Sequence, residues 1–366
     1  MNLKNRLTSI LAIFILILIF SFIHLTARAC SVFCIDKGNE LVVGRNYDWG
    51  FKEGLIILNK RNHQKTAFFY WGENSSNLAT WTSRYGSITF NQYGRDIAFS
   101  GMNETGLVVS ELWLNETRYP AEDSRASLSV DQYVQYILDN FSSVDQIIAS
   151  DSLIRLRPTT NDFTKIHFIA VDSSGKSAVI EFIHGKMVYH TGDDMPVKAL
   201  TNNTYDASLA YLKSGEIPSP GDNSSLSRFY RASTGAMHFN PGTSGPFIDY
   251  AFHILQRVAQ GNRTKYSMVF DIKNRKVYFN TLANQNIQYF DFGRFDFSCN
   301  TISKVHNTNL DFTGDINDKF VDYTLSLNEE LILKAWKDLG YTDVYPPALK
   351  IISAYPETFR CVRKAL

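Results

Sequence analysis

Hydrophobic positions fall into two regimes along the chain. Residues 10–23 form one apolar run without a charge, preceded by Lys4 and Arg6 and followed by small residues at Ala27 and Ala29. After that, apolar positions come in short bursts. Residues 31–35, 41–47 and 55–60 are apolar or β-branched and are separated by turn formers such as Lys37-Gly38-Asn39. Residues 87–90, 97–100 and 107–114 continue the pattern, which predicts strands. Two helices follow. Ser129 is placed to cap "VDQYVQYILDNF" and Ser143 to cap "VDQIIAS", each with an acid or amide within three residues.

A second group of strands is predicted over 165–171, 177–183 and 186–191, joined by Asp172-Ser173-Ser174-Gly175 and by His184-Gly185, both hairpin-like. Helical spacing returns over 226–238 and 246–259, the latter with proline at its start and Gly261 past its end. A last hairpin, 266–272 with 276–282, turns at Lys273-Asn274-Arg275. This alternation of strands and helices predicts a layered α+β domain of antiparallel sheets covered by helices. From residue 294 the pattern is polar and irregular up to Asn328, and "EELILKAWKDLG" then reads as one helix. The expected organisation is a leader over 1–29, a main domain over 30–293 and a C-terminal extension over 294–366.

The first regime has the parts of a cleaved signal peptide: a positive start, an apolar centre and an Ala-x-Ala site at Ala27-Arg28-Ala29. An uncleaved anchor is the rival, because residues 7–27 are barely long enough to span a bilayer. A lipoprotein carrying lipid on Cys30 is another, although Ala27 and Arg28 fit that signal poorly. Cleavage before Cys30 makes it the first residue of the mature chain, and no stable membrane insertion is then expected. It also removes three basic residues and no acids, leaving 34 basic against 36 acidic residues, a formal charge of −2. Such a chain has no basic field to draw in nucleic acid. If Cys30 stays free, Cys299 with Cys361 is the favoured disulfide, leaving Cys34 buried. Seven Asn-x-Ser/Thr sequons occur, three of them (Asn103, Asn202 and Asn223) inside the motifs quoted below. That points to a host that does not glycosylate on this code, most simply a bacterium, with export to the periplasm. The eight histidines are scattered without a metal-ligand spacing and no phosphate-cradling glycine loop is present, so neither metal nor cofactor is expected.

Five motifs line up in order around Cys30. The first, "CSVFCI" running on to "VVGRNYDW", places Arg45 fifteen and Asp48 eighteen residues after the cysteine. "GMNETGLVVSELWL", "HFIAVDSSGKSAVIEF", "LTNNTYD" and "PGDNSSLSRFYRA" follow. In this order the chain, over roughly residues 30–290, resembles the choloylglycine hydrolase and penicillin V acylase family, cysteine N-terminal-nucleophile (Ntn) hydrolases of linear amide bonds. The resemblance implies an αββα sandwich of two antiparallel sheets between helix layers, and makes the main domain catalytic.

It also implies roles. A terminal Cys30 carries its own general base: the α-amine has a reference pKa near ~8 and the thiol near ~8.5, so the amine takes the thiol proton and later gives it to the leaving amine. Asp48 is expected to orient that amine or thiol, and Arg45 to favour the thiolate by its charge. On residue type alone these two read as a solvated strand-end pair. Three apart, they would lie on opposite faces of a regular strand, so both reach Cys30 only if the strand ends or bends near Asn46 or Tyr47. Asn202 matches the family's oxyanion asparagine and is favoured over Asn203, although Thr204 stands where the family has proline. The backbone N–H of Trp113 would be the second oxyanion donor. Arg228 in "LSRF" matches the remaining site arginine, with Arg231 as the decoy.

For substrate, bile-salt enzymes of the family commonly carry Asn where this chain has Trp113, and Trp49 adds a second indole beside Asp48. Two indoles build an apolar slot for a phenoxyacetyl or fatty acyl group. The expected partner is therefore a small N-acyl amide of penicillin V or acyl-homoserine lactone type. Conjugated bile salts are the alternative, followed by a non-catalytic, lipid-anchored binding protein of the same fold, or one that has lost its chemistry. A homo-oligomer is left open: the family's tetramer uses a long loop between the Thr-Asn and Ser-Arg-Phe motifs, which is short here.

Overall fold

The computed structural model describes residues 29–68, 77–158, 164–338, 340, 350 and 352–362. All of the expected leader except Ala29 lies outside the described residues. Two large sheets lie face to face. The first has seven strands in the order Ala199–Leu200, β1 (Ala29–Lys37), β2 (Glu40–Asp48), Thr264–Asp271, Lys276–Thr281, Gln288–Asp291 and Gly314–Asp315. Its pairs are antiparallel except the last, which is parallel. The second has nine antiparallel strands: Lys186–Thr191, Ser177–Ile183, Ile166–Val171, Val108–Trp113, Ala98–Asn103, Ser87–Asn91, Leu55–Asn59, Lys304–Asn307 and Val321–Asp322.

Helices Tyr205–Lys213, Ser225–Met237 and Phe247–Arg257 cover the seven-stranded sheet, and Tyr133–Asn140 with Val144–Ala149 covers the nine-stranded one. This is the expected αββα sandwich. Because both sheets are covered on both faces, their central strands are buried on successive positions rather than alternately. β1 buries Ala29 through Ile35 without a break. Gly44 is what lets β1 and β2 close up: a Cβ there would lie 2.2 Å from the Phe33 ring, which crosses β2 at that point.

The Ser225–Met237 helix shows how sequence fixes an outer layer. Ser224 caps it by accepting from Ser227 N at 3.3 Å. Phe229, Ala232, Ser233 and Ala236 recur at helical spacing on its buried face. Ser143 caps Val144–Ala149 as expected. Ser129 instead precedes a 3-10 turn, Val130–Gln132, and makes no capping bond to it.

Two local readings change. The helix Tyr205–Lys213 begins inside the "LTNNTYD" motif, whose Thr204 is its cap, and is not foreseen from the pattern. The stretch read as irregular after residue 294 contributes Lys304–Asn307 to the nine-stranded sheet. Polar residues at the ends of that short strand masked the buried Val305 and His306. The helix Leu325–Asp338 then packs through Leu331 and Ala335 against Phe51, Leu55 and Ile57. Cys299 and Cys361 are disulfide-bonded, which leaves Cys30 and Cys34 as buried thiols. Among the described residues no helix is long and apolar enough to cross a membrane.

Candidate active site

Cys30 is the second residue of β1. It sits directly opposite Tyr47 on β2 and is only 4% exposed. Its nitrogen, here the peptide nitrogen after Ala29, donates to Asn202 Oδ1 at 2.8 Å. Arg228 donates through Nη1 to the Cys30 carbonyl at 2.5 Å and to Ser31 Oγ at 2.9 Å, and through Nη2 to Asn202 Oδ1 at 2.9 Å. With its oxygen held by two donors, Asn202 turns Nδ2 the other way, where it donates to the Trp113 carbonyl at 2.9 Å. The N–H and C=O of one strand residue point to the same side, as the paired bonds of an antiparallel ladder require. The Trp113 N–H therefore shares that edge with its carbonyl.

The Asn202 turn is itself anchored. Asn202 N donates to Ser225 Oγ at 2.8 Å, and Ser225 and Thr201 exchange further bonds. Beneath it, His167 Nε2 meets the Thr201 carbonyl at 2.8 Å while Nδ1 meets Glu181 Oε1 at 3.0 Å, both side chains buried. A carbonyl can only accept, so Nε2 carries the hydrogen. Glu181 Oε1 also accepts from Tyr205 N. Arg231, the decoy, turns away to the Asp222 carbonyl and Asn223 Oδ1.

Arg45 and Asp48 are both buried beside Cys30, but not by the route the spacing predicts. β2 stays in register with β1 as far as Ala29 opposite Asp48, so the strand does not end or bend between them. The irregularity falls on the other neighbour, between Thr264 and Tyr266, and brings Thr264 opposite Asp48. The two side chains therefore approach from opposite faces of an intact strand. Asp48 Oδ1 accepts from Thr264 Oγ1 at 2.5 Å, and Oδ2 is buried without a hydrogen-bond partner among the described residues. None of the three Arg45 guanidinium nitrogens has a hydrogen-bond partner among them either. The group lies 5.4 Å from the Tyr47 ring centre and 5.3 Å from that of Phe99.

Burial dominates the local acid–base balance. It pushes the Cys30 thiol up to about 11 against the opposing pull of Arg45 and, more weakly, Arg228. It raises the Asp48 carboxyl to about 6, against Thr264 and then Arg228 and Arg45. It lowers the guanidinium of Arg45, which Cys30 and Glu111 draw back up. Glu111, half-buried two residues before Trp113, is raised to about 8 by desolvation and held down by Arg45.

The indoles take different surroundings. Trp49 lies against the core with Nε1 donating to Tyr93 Oη at 2.5 Å, and its ring is 6.1 Å from Tyr47. Tyr47 in turn stacks on Phe99 at 4.0 Å. The half-buried Trp113 donates from Nε1 to Asn115 Oδ1 at 2.8 Å. Sequence reasoning missed His167, Glu181, Glu111 and Tyr93. The first two stood inside the motif "HFIAVDSSGKSAVIEF", where their fourteen-residue separation across a hairpin was a usable signal. Tyr93, in a turn, carried none.

A buried cysteine at a strand start, an amide aimed at a strand backbone and two buried arginines on an αββα sandwich define an amide hydrolase of the Ntn class. The chain belongs to the choloylglycine hydrolase family of linear amide C–N hydrolases, whose model matches residues 30–214 and 211–306. It is 31% identical over 261 residues to a penicillin V acylase of Pectobacterium atrosepticum, covering 60% of this chain and 69% of that protein. Among solved structures, penicillin V acylase from Agrobacterium tumefaciens superposes with a TM-score of 0.66 at 27% identity, covering 81% of this chain and 98% of that one. A conjugated bile acid hydrolase variant from Clostridium perfringens, at 23% identity and TM-score 0.64, shares the fold over 79% of this chain and 99% of its own. The protein is thus a hydrolase of carbon–nitrogen bonds in linear amides.

Proposed function

We propose that this is an exported Ntn cysteine amidase, made with a signal peptide cut before Cys30 and working in the periplasm on a small N-acyl amide of the penicillin V or acyl-homoserine lactone type. One observation carries the reading: a single Asn202 side-chain amide links the Cys30 nitrogen, at its oxygen, to the Trp113 backbone, at its nitrogen. When the bond to Ala29 is cut, that nitrogen becomes an α-amine. A thiol held near 11 by burial ionises poorly alone, so the neighbouring amine takes its proton, and the charges of Arg45 and Arg228 favour the thiolate. The sulfur adds to the amide carbon. The carbonyl oxygen becomes an oxyanion that accepts from Asn202 Nδ2 and Trp113 N–H, displacing the bond that Asn202 Nδ2 makes to the Trp113 carbonyl. Collapse breaks the C–N bond, the α-ammonium returns its proton to the leaving amine, and water cleaves the acyl thioester by the same two steps. Asp48, opposite Ala29 on the neighbouring strand, is placed to orient the amine once that residue is removed.

The acyl preference is supported by the aromatic cluster that Trp49 and Phe99 form with Tyr47, the residue opposite Cys30, and by the 31% identity to a penicillin V acylase. A screen with penicillin V, long and short acyl-homoserine lactones, glycocholate and taurocholate tests it. The reading expects a higher kcat/KM for penicillin V or a long acyl-homoserine lactone than for taurocholate, and the reverse ranking overturns it.

A further inference from the structure

The matched family region ends at His306, yet the helix Leu325–Asp338 beyond it reaches the wall of the site. Its path runs through the turn that carries Tyr93. Asn328 Oδ1 accepts from Arg95 N at 2.8 Å while Asn328 Nδ2 donates to the Ser353 carbonyl at 2.9 Å, both from a fully buried side chain. Ile332 lies on Gly94: a Cβ at that residue, whose φ is +114°, would come within 2.9 Å of Ile332 Cδ1. Arg95 is clamped further by Ser303 Oγ at 2.7 Å and by the Tyr323 ring, 4.6 Å away. The turn between them presents Tyr93, whose hydroxyl accepts from the indole of Trp49, next to Asp48. Trp49 and Tyr93 both pack against the small core that Leu331 and Ala335 complete, and the helix end brings Asp338 within 3.5 Å of a Cβ placed on Gly50.

We infer that the C-terminal helix is a built-in part of the acyl-binding wall: Asn328 and Ile332 fix the Tyr93 turn, and Tyr93 fixes the Trp49 indole, making Tyr93 a specificity-determining residue for bulky acyl groups. This rests on the proposed N-acyl amidase reading. An indole whose N–H is held by one hydroxyl has its ring plane set, and a planar acyl group that packs on that ring is sensitive to its orientation. A small acyl group is not. The groups that act on the amide, namely Cys30, Asn202 and the Trp113 backbone, make no hydrogen bond to the Trp49 ring.

The test uses the full-length, processed enzyme and two amides of one amine, phenoxyacetyl and acetyl, with rates expressed per titratable Cys30. Tyr93→Phe and Asn328→Ala should each raise KM for the phenoxyacetyl substrate about tenfold, the size of one lost hydrogen bond, with kcat and the acetyl substrate held within twofold. Adding Trp49→Phe to Tyr93→Phe should cost little more, because the bond between the two side chains is already gone. Equal losses on both substrates, or no loss on either, overturn the inference. Wild-type enzyme that hydrolyses neither amide defeats the amidase reading instead. The wall is then read from Cys30 alkylation by iodoacetamide and N-phenyl iodoacetamide, assigned by peptide mass. Asn328→Ala should shift the ratio of the two rates about tenfold, and an unchanged ratio rejects the wall.

Discussion

Asp48 is the side chain whose environment makes the sharpest forecast. Its carboxyl is raised to about 6 by burial, so the folded state holds a proton more tightly than the unfolded chain does. The stability it contributes is therefore full below about pH 4, the ordinary aspartate value, and is lost as pH rises through 6. Activity should run the other way, because orienting the amine needs the carboxylate: kcat/KM should fall on an acid limb at or below pH 6. Asp48→Asn should abolish that limb and flatten the unfolding free energy between pH 4 and 6, and a limb that survives the substitution assigns it elsewhere. Asn202→Ala should lower kcat by about 10²–10³ with folding kept, whereas Asn203→Ala should cost less; the reverse order would mean the other amide faces the oxyanion. Cys30, Asp48, Asn202 and Arg228 were legible in sequence because each sits in a short motif of fixed order. Tyr93 and Glu111 were not, since a turn tyrosine and a strand glutamate acquire meaning only from what the fold brings beside them.

The strands and outer helices followed from pattern wherever a segment was continuously apolar, as in β1, or amphipathic over several turns, as in Ser225–Met237. Periodicity failed for the two-residue and four-residue strands after residue 294, whose pairing is set by the edge they join rather than by their own pattern. It also gave the wrong cause for the meeting of Arg45 and Asp48. A strand bend was expected where the structure has an intact β1–β2 ladder, because a bulge in a neighbouring strand is invisible in β2's own sequence. That ladder depends on Gly44. Gly44→Ala forces a methyl against the Phe33 ring, both fully packed, and should destabilise the fold by about 3 kcal/mol, the upper end for overpacking. Urea unfolding of the Cys30→Ala background, which leaves the packing of both strands intact, measures this; a loss under about 1 kcal/mol would show that the Phe33 ring shifts freely.

At the scale of the whole molecule, one αββα sandwich supplies two functions of position. Its seven-stranded sheet holds Cys30 at the start of β1, and its nine-stranded sheet brings the Trp113 backbone across to Asn202. The C-terminal extension, closed on itself by the Cys299–Cys361 disulfide and paired through Arg360–Cys361 with His63 and Gln64, covers one flank. All of this places the nitrogen of Cys30, not merely its sulfur, at the centre. The most direct measurement is therefore the turnover of a form that keeps one extra Gly before Cys30, compared with the processed enzyme after mass spectrometry of both N-termini. The processed protein should begin at Cys30 with a free amine and hydrolyse its amide substrate. The Gly-extended form should fold, react with thiol reagents and lose nearly all hydrolysis, because an amide nitrogen does not accept the thiol proton. Full activity with the glycine in place, or a mature start at any other residue, would contradict the account.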